Sequence, residues 1–315
     1  MTIQPSVALL KGLVSYVPGL SGLGSTRKTG GTVSARYCYS VWLRHLVKLA
    51  EVGCLSPFGV VAEFGPGDSI GTGLAALLSG AKNYIALDVV AYAENSRNKK
   101  ILHEIAQLFK ENSSVPGEDE FPEIRPLLSQ YSFPRSILAD EILAKTLNDL
   151  NIENLSKELA GESALEPRIS YIAPWNKVDL KKTGFINLIF SQAVLEHVDD
   201  ISTAYSVMHN LLAPGGIMSH QIDFRSHGIS NNWNGHWGIG EFRWNLTKGK
   251  RPYLINRIPY SKHISLIEKS GFKILATHPI QGGPGIKKSD LAPEFKDFSD
   301  EDLETSGAMI IAKKL

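Results

Sequence analysis

Cysteine, net charge and long apolar runs are all scarce in this sequence, and each shortage excludes a class of protein. The two cysteines, Cys38 and Cys54, cannot build a disulfide framework or a cysteine-rich zinc site. A formal net charge of +1 gives no general electrostatic reason to expect nucleic acid or an anionic membrane as a partner. The composition therefore favours a protein of a reducing, cytoplasmic compartment.

The apolar segment near the N-terminus is interrupted before it reaches the length of a membrane span. The segment from Val7 to Gly24 lacks a basic stretch before it, and Lys11 and Pro18 break it. Neither a signal peptide nor a spanning helix, which needs about 20 apolar residues, fits this pattern, so no stable membrane insertion is expected. We predict a short helix that rests on the domain, with contact to a membrane surface as the alternative.

What the sequence does contain is a regular alternation of buried strands and amphipathic helices. The 315 residues, 43% hydrophobic and 21% charged, are enough for one large domain with insertions. Such alternation predicts an α/β fold with a mostly parallel sheet covered by helices on both faces. We count seven strands, and one of the last two should be antiparallel because no helix separates them. The predicted strands are FGVVAEFG, NYIALDVV, RISYIAP, FINLIFSQ, GIMSHQIDF, FKILATHPI and SGAMIIAKKL.

Three stretches lie outside this alternation. Residues 1–56 are predicted to be an N-terminal helical extension, with a helix within 32–53, and residues 57–315 to be the main domain. Two insertions, at about 94–167 and 225–260, are longer than a simple connection requires. Long loops in a compact domain are commonly lids or substrate walls, so we expect both insertions to form a lid.

A glycine-rich turn, VVAEFGPGDSIG, follows the first predicted strand. A dinucleotide fingerprint needs the spacing G-x-G-x-x-G, and counting from Gly65 places Ile70 where its third glycine belongs. Pro66 also lacks the backbone amide that a pyrophosphate might use. The spacing therefore disfavours NAD.

The same turn resembles motif I of the class I S-adenosylmethionine (SAM)-dependent methyltransferases, in which an acid precedes G-x-G-x-G. Ser69 stands here at the third glycine. The stretch FINLIFSQAVLEHVDDISTAYSVMHNLLAPGGIM is similar to the fourth strand and following helix of that family, although Asn187 replaces the usual Asp. The resemblance implies a Rossmann-like fold and SAM as the cofactor.

The resemblance also implies a cofactor-binding set at the ends of the strands. Glu63 would bind the ammonium of SAM directly or through water, and Asp88 would accept hydrogen bonds from the ribose hydroxyls. Arg36 and Tyr37 of the N-terminal helix could close over the SAM carboxylate. The family's acid after the third strand, which meets the adenine amino group, is missing. Ala173 or a neighbouring backbone group would take that role, with Ile172 or Trp175 against the adenine ring. The expected cofactor-binding residues are Glu63, Gly65, Gly67, Ser69, Asp88, Ile172, Ala173, Ser191, Gln192, Arg36 and Tyr37.

Histidines near the fourth and fifth strands are the candidates for catalysis. Methyl transfer needs a nucleophile held close to the methyl group, and a hydroxyl or ammonium acceptor also needs a base. Histidine suits that task because its ordinary pKa is near neutral. We expect His227 to be the base with Asp223 as partner or alternative, and His197 and His236 are further candidates.

A metal site is the weaker interpretation of this region. His220, Asp223, His227 and His236 could supply ligands. However, the strand pattern covers the first two of them, and His220 fits a buried core histidine. We therefore expect no metal.

Three functions follow, in order of preference. The first is a methyltransferase acting on oxygen, with nitrogen as second choice, of a small metabolite or glycan-type acceptor. The second is an enzyme that cleaves or cyclises SAM through its aminocarboxypropyl arm. The third is a SAM-binding regulatory protein without turnover. Nucleic acid is disfavoured by the charge and by the absence of an N/D-P-P-Y/F tetrad after the fourth strand.

Overall fold

A seven-stranded sheet forms the centre of the computed structural model, which describes residues 5–16, 32–56, 58–91, 93–162, 166–175, 183–251 and 253–315. The strands are β1 (Val60–Phe64), β2 (Asn83–Leu87), β3 (Ile169–Ile172), β4 (Ile186–Gln192), β5 (Leu212–Asp223), β6 (Phe272–Gln281) and β7 (Thr305–Lys314). Their order across the sheet is β3-β2-β1-β4-β5-β7-β6. The predicted α/β class, the number of strands and the place of each strand in the sequence are confirmed.

The direction of β7 distinguishes this sheet from an all-parallel one. It runs antiparallel to both of its neighbours, β5 and β6. The pairs β1–β2, β1–β4, β2–β3 and β4–β5 are parallel. The prediction that one of the last two strands is antiparallel is therefore confirmed. Because parallel strands end at the same edge, the loops after β1 to β5 converge there.

Helices cover both faces of the sheet. They are α1 (Pro5–Val14), α2 (Ala35–Glu51), α3 (Gly71–Leu78), α4 (Asn95–Lys110), α5 (Asp140–Thr146), α6 (Asp149–Leu159), α7 (Ile201–Leu211), α8 (Glu241–Lys248), α9 (Tyr260–Lys269) and α10 (Asp300–Glu304). Residues of α2 to α6 share a core with one face, and residues of α7 and α9 share a core with the other. Both faces are buried, which explains why the parallel strands are almost continuously apolar.

The alternation of side chains along β1 determines the face of the sheet on which Glu63 lies. Val61 packs in the core on the α2–α6 side, and Ala62 and Phe64 pack on the α7–α9 side. Successive side chains of a strand point to opposite faces, so Glu63 shares the side of Val61. It therefore lies under the start of α3.

The Pro214-Gly215-Gly216 segment lies within β5. From the sequence, the helix ISTAYSVMHNLLA is predicted to end at this turn, but α7 ends at Leu211 and β5 begins at once with Leu212. The register to β4 then jumps, with Ile186 opposite Leu212 and Leu188 opposite Ile217. The segment is a bulge within the strand, and Gly215 takes the positive φ of +72° that this bulge requires.

The first insertion contributes mainly to the core. Its helices α4, α5 and α6 pack on α2, on α3 and on one another and share the core of that side of the sheet, whereas a loop between α4 and α5 packs against α2 through Phe121 and Tyr37. Arg44 of α2 is fully buried and fixes this loop by donating hydrogen bonds to the carbonyls of Pro116 (3.2 Å) and Pro126 (2.5 Å). We call residues 116–126 the edge loop.

In the N-terminal segment, helix α1 packs against α8 of the second insertion. Small residues of α1, including Ala8, are buried against α8, and Ser15 Oγ accepts a hydrogen bond from the Lys250 amide (2.7 Å). The rest of the predicted segment, residues 17–24, lies outside the described residues. Within the described ranges, no helix is long and apolar enough to cross a membrane.

Candidate functional site

The glycine turn leaves β1 at the carboxyl edge of the sheet. Gly65 and Gly67 both adopt left-handed φ values, +69° and +75°. The Gly65 amide donates to the Leu87 carbonyl (2.8 Å), and a Cβ on Gly65 would lie 2.7 Å from the Val194 methyls. Glycine is thus required by conformation and by space. The turn leads into the N-terminus of α3, so it offers a bare backbone at the positive end of a helix dipole.

Glu63 is held beneath this turn. Its side chain is almost fully buried, and Oε2 accepts a hydrogen bond from the Tyr84 hydroxyl (2.6 Å). Burial raises the pKa of Glu63 to about 8, although Tyr84, the Thr72 hydroxyl and the Gly73 amide favour the charged form. At neutral pH most of this carboxyl is protonated until a cation approaches it.

Asp88 follows β2 and is buried next to the turn. Its Oδ1 accepts from the Val89 amide (2.7 Å), and the Tyr171 hydroxyl donates to Oδ2 (3.2 Å). Burial raises the pKa of Asp88, and the nearby amides of Val89 and Gly67 oppose that rise. The carboxylate is therefore fixed beside the glycine turn, at the carboxyl end of β2.

The end of β3 contributes an aromatic wall. Ile172 and Trp175 are half-buried and Ala173 is exposed. The Asp88 amide donates to the Ile172 carbonyl (3.0 Å), and the Trp175 amide donates to the Asp88 carbonyl (2.6 Å). The Trp175 ring packs on Phe64 with centroids 5.2 Å apart. An apolar surface thus stands on the other side of Asp88 from the turn.

Three residues of the expected cofactor set have their side chains engaged elsewhere. The Ser69 hydroxyl is fully buried and donates to the Thr32 carbonyl, so it fixes the segment before α2. Ser191 is hydrogen-bonded to His220 Nδ1 (2.8 Å) in the core. Gln192 donates to the Arg125 carbonyl (3.1 Å) and so holds the edge loop.

Arg36 and Tyr37 lie at the mouth of the cleft. Arg36 makes an exposed bidentate ion pair with Glu120 of the edge loop. The Tyr37 ring packs edge-on against Phe121, with centroids 5.7 Å apart. Burial raises the pKa of Tyr37 to about 12, and the nearby carboxyls of Glu63 and Glu196 add to it. Tyr37 therefore lies between the loops after β1 and β4.

A histidine and an aspartate form a pair beyond β5. His227 Nε2 lies 3.2 Å from Asp223 Oδ2, and the His227 side chain is 32% exposed. Arg225 Nε and Nη2 donate to both oxygens of the same carboxylate, at 2.8 to 3.0 Å. Burial alone would raise the pKa of Asp223, but the hydrogen bonds from His227 and Arg225 outweigh it and hold that pKa below its ordinary value. The carboxylate can thus orient the His227 ring.

The other two candidate bases are less accessible. His236 is 1% exposed, and burial lowers its pKa to about 3. His197 is half-buried beside His227, with ring centroids 5.2 Å apart, and burial lowers its pKa to about 4. Both rings are neutral in the physiological range. Among the three histidines, only His227 combines solvent access with an orienting carboxylate.

Metal ligands do not converge here. In the described ranges, no group of three or more His, Cys, Asp or Glu residues is arranged to hold a metal ion. His220 is fully buried beside Ser191 and does not join the His227–Asp223 pair.

Several side chains of the site are not in the set expected from the sequence. Tyr84 and Tyr171 donate to the two acids, and Arg225 anchors both Asp223 and Glu123 of the edge loop (2.6 Å). The period-2 pattern of β1 and β2 could have indicated Tyr84, since it shares a face with Glu63. The sequence carries no comparable signal for Tyr171 and Arg225.

Glu196 is predictable in place but not in environment. The LEHV stretch puts it in the loop after the fourth strand, which is expected to face the cofactor. In the structure it is buried, yet neither of its carboxylate oxygens has a hydrogen-bond partner in the described part of the chain.

Comparison with known proteins finds solved structures of similar fold, whereas comparison of the sequence finds no match. No protein-family model matches the chain, and no curated protein matches it significantly. Similar solved structures include SAM-dependent methyltransferases of Listeria monocytogenes (13% identity, TM-score 0.43) and Mesorhizobium loti (13%, 0.41), each covering 90% of this chain and 100% of the other. Another is phosphoethanolamine N-methyltransferase 2 of Haemonchus contortus in complex with SAM (13%, 0.42), with 89% of this chain and 57% of that chain covered. At such low sequence identities, the assignment of the fold depends on the sheet topology described above.

Proposed function

We propose that this chain is a SAM-dependent methyltransferase that transfers a methyl group to oxygen, with nitrogen as second choice, of a small-molecule acceptor. One observation carries the proposal: the glycine turn, the buried Asp88 and the His227–Asp223 pair meet at one edge of the sheet. Ligands of open α/β sheets bind at this edge. A site for a ribose, a bare backbone and a histidine base are thereby adjacent.

The residues at this edge fit SAM by their chemistry. Asp88 would accept hydrogen bonds from the ribose, and Gly65 and Gly67 would let the methionine portion approach the backbone. Glu63 would face its ammonium. The Phe64–Trp175 surface would cover the adenine. When bound, SAM supplies an activated methyl group on a positively charged sulfur.

His227 would take the proton of the acceptor. When its Nε2–H donates to Asp223 Oδ2, the other ring nitrogen, Nδ1, can accept a proton. Asp223 stays ionised, because His227 and Arg225 hold its pKa down, and it stabilises the imidazolium that forms. The edge loop, fixed by the Glu120–Arg36 and Glu123–Arg225 ion pairs, would exclude water as a lid.

Replacing His227 by asparagine is expected to lower kcat by about 10²- to 10⁴-fold with little change in SAM affinity, because general bases contribute that range. Steady-state kinetics and calorimetric titration measure the two effects. His103→Asn on the exposed face of α4 is the matched control. Turnover that survives His227→Asn would remove His227 from the chemistry.

The buried carboxyl of Glu63 predicts a pH dependence of SAM binding. Its raised pKa, about 8, means that the free protein holds a proton there below that pH, and an ammonium beside it favours the ionised form. SAM binding should release this proton, and affinity should rise from about pH 6 towards about pH 8, above which the α-ammonium of SAM loses its own proton. Titration calorimetry in buffers of different ionisation enthalpy measures the release. Equal release by the wild type and Glu63→Gln would contradict the assignment.

The ion pairs of the edge loop support a second candidate. The edge loop is paired with Arg36 on one side and Arg225 on the other. A closed site suits an enzyme that cleaves or cyclises SAM through its aminocarboxypropyl arm, since no second substrate then has to enter.

One incubation separates the candidates. Pure protein is mixed with SAM alone and then with a metabolite extract, and the products are identified by mass spectrometry. S-adenosylhomocysteine that forms only with the extract is the result expected of a methyltransferase. Methylthioadenosine from SAM alone indicates the second candidate. Tight binding without either product indicates a regulatory protein.

A further inference from the structure

A small cavity lies beside the His227–Asp223 pair, between the loop after β4 and the second insertion. Its lining includes Glu196, Asp223, His236 and Asn256. The volume open to the centre of a water molecule is about 10 Å³, which suits one heavy atom with its hydrogens. The cavity is therefore a site for a head group and not for a whole metabolite.

The polar groups without partners in this cavity are all hydrogen-bond acceptors once Glu196 is ionised. Burial and the nearby Asp223 raise the pKa of Glu196 well above its usual value, so its carboxyl holds a proton in the empty cavity, and an ammonium beside it favours the ionised form. Within the described residues, Glu196 Oε1 and Oε2 and His236 Nδ1 are buried and have no hydrogen-bond partner. The amides of Glu196 itself and of Asp223 lie near the Glu196 carboxyl, but neither makes a well-formed bond. The backbone of Trp233 lies near the His236 ring, and Nδ1 of His236 is an acceptor in the tautomer that carries the proton on Nε2.

Leaving such groups unsatisfied is costly, so a donor is expected to complete them. A buried polar group without a partner lowers stability, and a charged one lowers it more. Glu196 is also held in place, because the Asn256 side chain donates to the carbonyls of Leu195 (2.8 Å) and Val198 (2.9 Å) on either side. The acceptors are thus preorganised for a ligand.

Neither neighbouring arginine supplies the missing donor. Arg225 uses its guanidinium on Asp223 and Glu123. Arg257 donates to the Ile239 carbonyl (2.6 Å) and stacks on the rings of Trp244 and Phe295, 4.3 and 4.7 Å from their centroids. Two acids, Glu196 and Asp223, and these two arginines line the cavity, so the acids equal the arginines in number. Asp223 is the acidic neighbour of Glu196 and is itself paired with Arg225.

We propose that this cavity binds a primary ammonium group of the acceptor, with Glu196 as the residue that selects it. The inference rests on the proposed methyltransferase function. An –NH₃⁺ group is one heavy atom with three donors, which matches the cavity in size and the three free acceptors in number. A quaternary ammonium is too large and has no donor, and an anion would face Glu196.

The position of the cavity defines the rest of the acceptor. Asp223 lines the cavity and also contacts His227, so one side chain separates the ammonium site from the proposed base. An amine held by Glu196 stays protonated and cannot act as the nucleophile. The methylated atom is then a hydroxyl at His227, and the acceptor belongs to the amino alcohols or amino sugars.

The test uses small probes on the full chain saturated with S-adenosylhomocysteine. Methylammonium, 2-aminoethanol, tetramethylammonium and acetate are titrated, and amide shifts around Glu196 and Asp223 are followed by NMR. We expect the two primary ammonium probes to bind at least about tenfold more tightly than tetramethylammonium or acetate. Glu196→Gln should remove that preference, whereas the exposed Glu268→Gln on α9 should keep it.

The outcomes separate this inference from the proposed function. S-adenosylhomocysteine binding without any preference for primary ammonium probes overturns the ammonium site and leaves the methyltransferase proposal intact. A preference that persists in Glu196→Gln overturns the role of Glu196. The comparison of probes in the wild type decides the ammonium site even where the variant fails to fold. Failure of S-adenosylhomocysteine to bind counts against the methyltransferase, and the probes then test the cavity without it.

Discussion

Replacing Gly65 by alanine is expected to abolish measurable SAM binding and to lower the free energy of unfolding by about 2–5 kcal/mol. A left-handed conformation costs an L-residue about 1–2 kcal/mol, and forcing a methyl group into a packed site costs about 1–3 kcal/mol more. Both apply here, because φ is +69° and the new Cβ would lie 2.7 Å from the Val194 methyls. The turn would have to move away from the loop after β4. Urea denaturation and calorimetric titration measure the two effects.

Gly53→Ala separates the two causes. Gly53 has φ of +78° but nothing within 4 Å of a Cβ. This control should cost only the backbone penalty, about 1–2 kcal/mol, and leave SAM affinity unchanged. If Gly65→Ala bound SAM as the wild type does, the turn would not be where the cofactor lies.

Asp88→Ala is expected to weaken SAM binding by about 1–3 kcal/mol, a loss of roughly 5- to 150-fold in affinity. The reason is that Asp88 is the buried carboxylate next to the glycine turn, already oriented by Val89 and Tyr171. A ribose without this acceptor would leave its hydroxyls unpaired in a buried place. Titration calorimetry with SAM and with S-adenosylhomocysteine measures the change.

Two further variants control the Asp88 experiment. Asp88→Asn keeps one acceptor oxygen and should lose less affinity than Asp88→Ala. Asp297→Ala removes an exposed carboxylate from the loop before α10 and should change nothing. Equal affinity in Asp88→Ala and the wild type would move the cofactor to another part of the molecule.

The sheet could be predicted because a local sequence pattern indicates each of its strands. The strands are short apolar runs, of which β1, β2 and β5 end at a glycine or an acid, and amphipathic helices such as α2 and α7 have an apolar stripe of 3.6-residue period. The antiparallel β7 was predicted because no helix was expected between the last two strands. That expectation was wrong, since α10 lies between β6 and β7, but its five residues are too short for the crossover that a parallel pair needs. Pro214-Gly215-Gly216 was wrong as a turn, because a bulge in β5 depends on the register to β4, and no pattern within the segment encodes that register.

The site was predictable only as far as the ends of the strands. The positions of Asp88, Asp223 and His227 at one edge follow from strand boundaries. The partners of Ser191 and Ser69 do not, because His220 and Thr32 come from 29 and 37 residues away in the sequence. The burial of Glu196 and His236 arises from packing of the second insertion, which is a tertiary contact. Unpaired acceptors of that kind are visible only in three dimensions.

The central claim is that the glycine turn and Asp88 together hold SAM. A crystal structure of the protein with S-adenosylhomocysteine tests it most directly. The account predicts ribose hydroxyls within hydrogen-bond distance of the Asp88 carboxylate and the amino-acid portion of the ligand over Gly65 and Gly67. A crystal in which the nucleoside binds elsewhere, or in which this cleft takes up NAD instead, would contradict it.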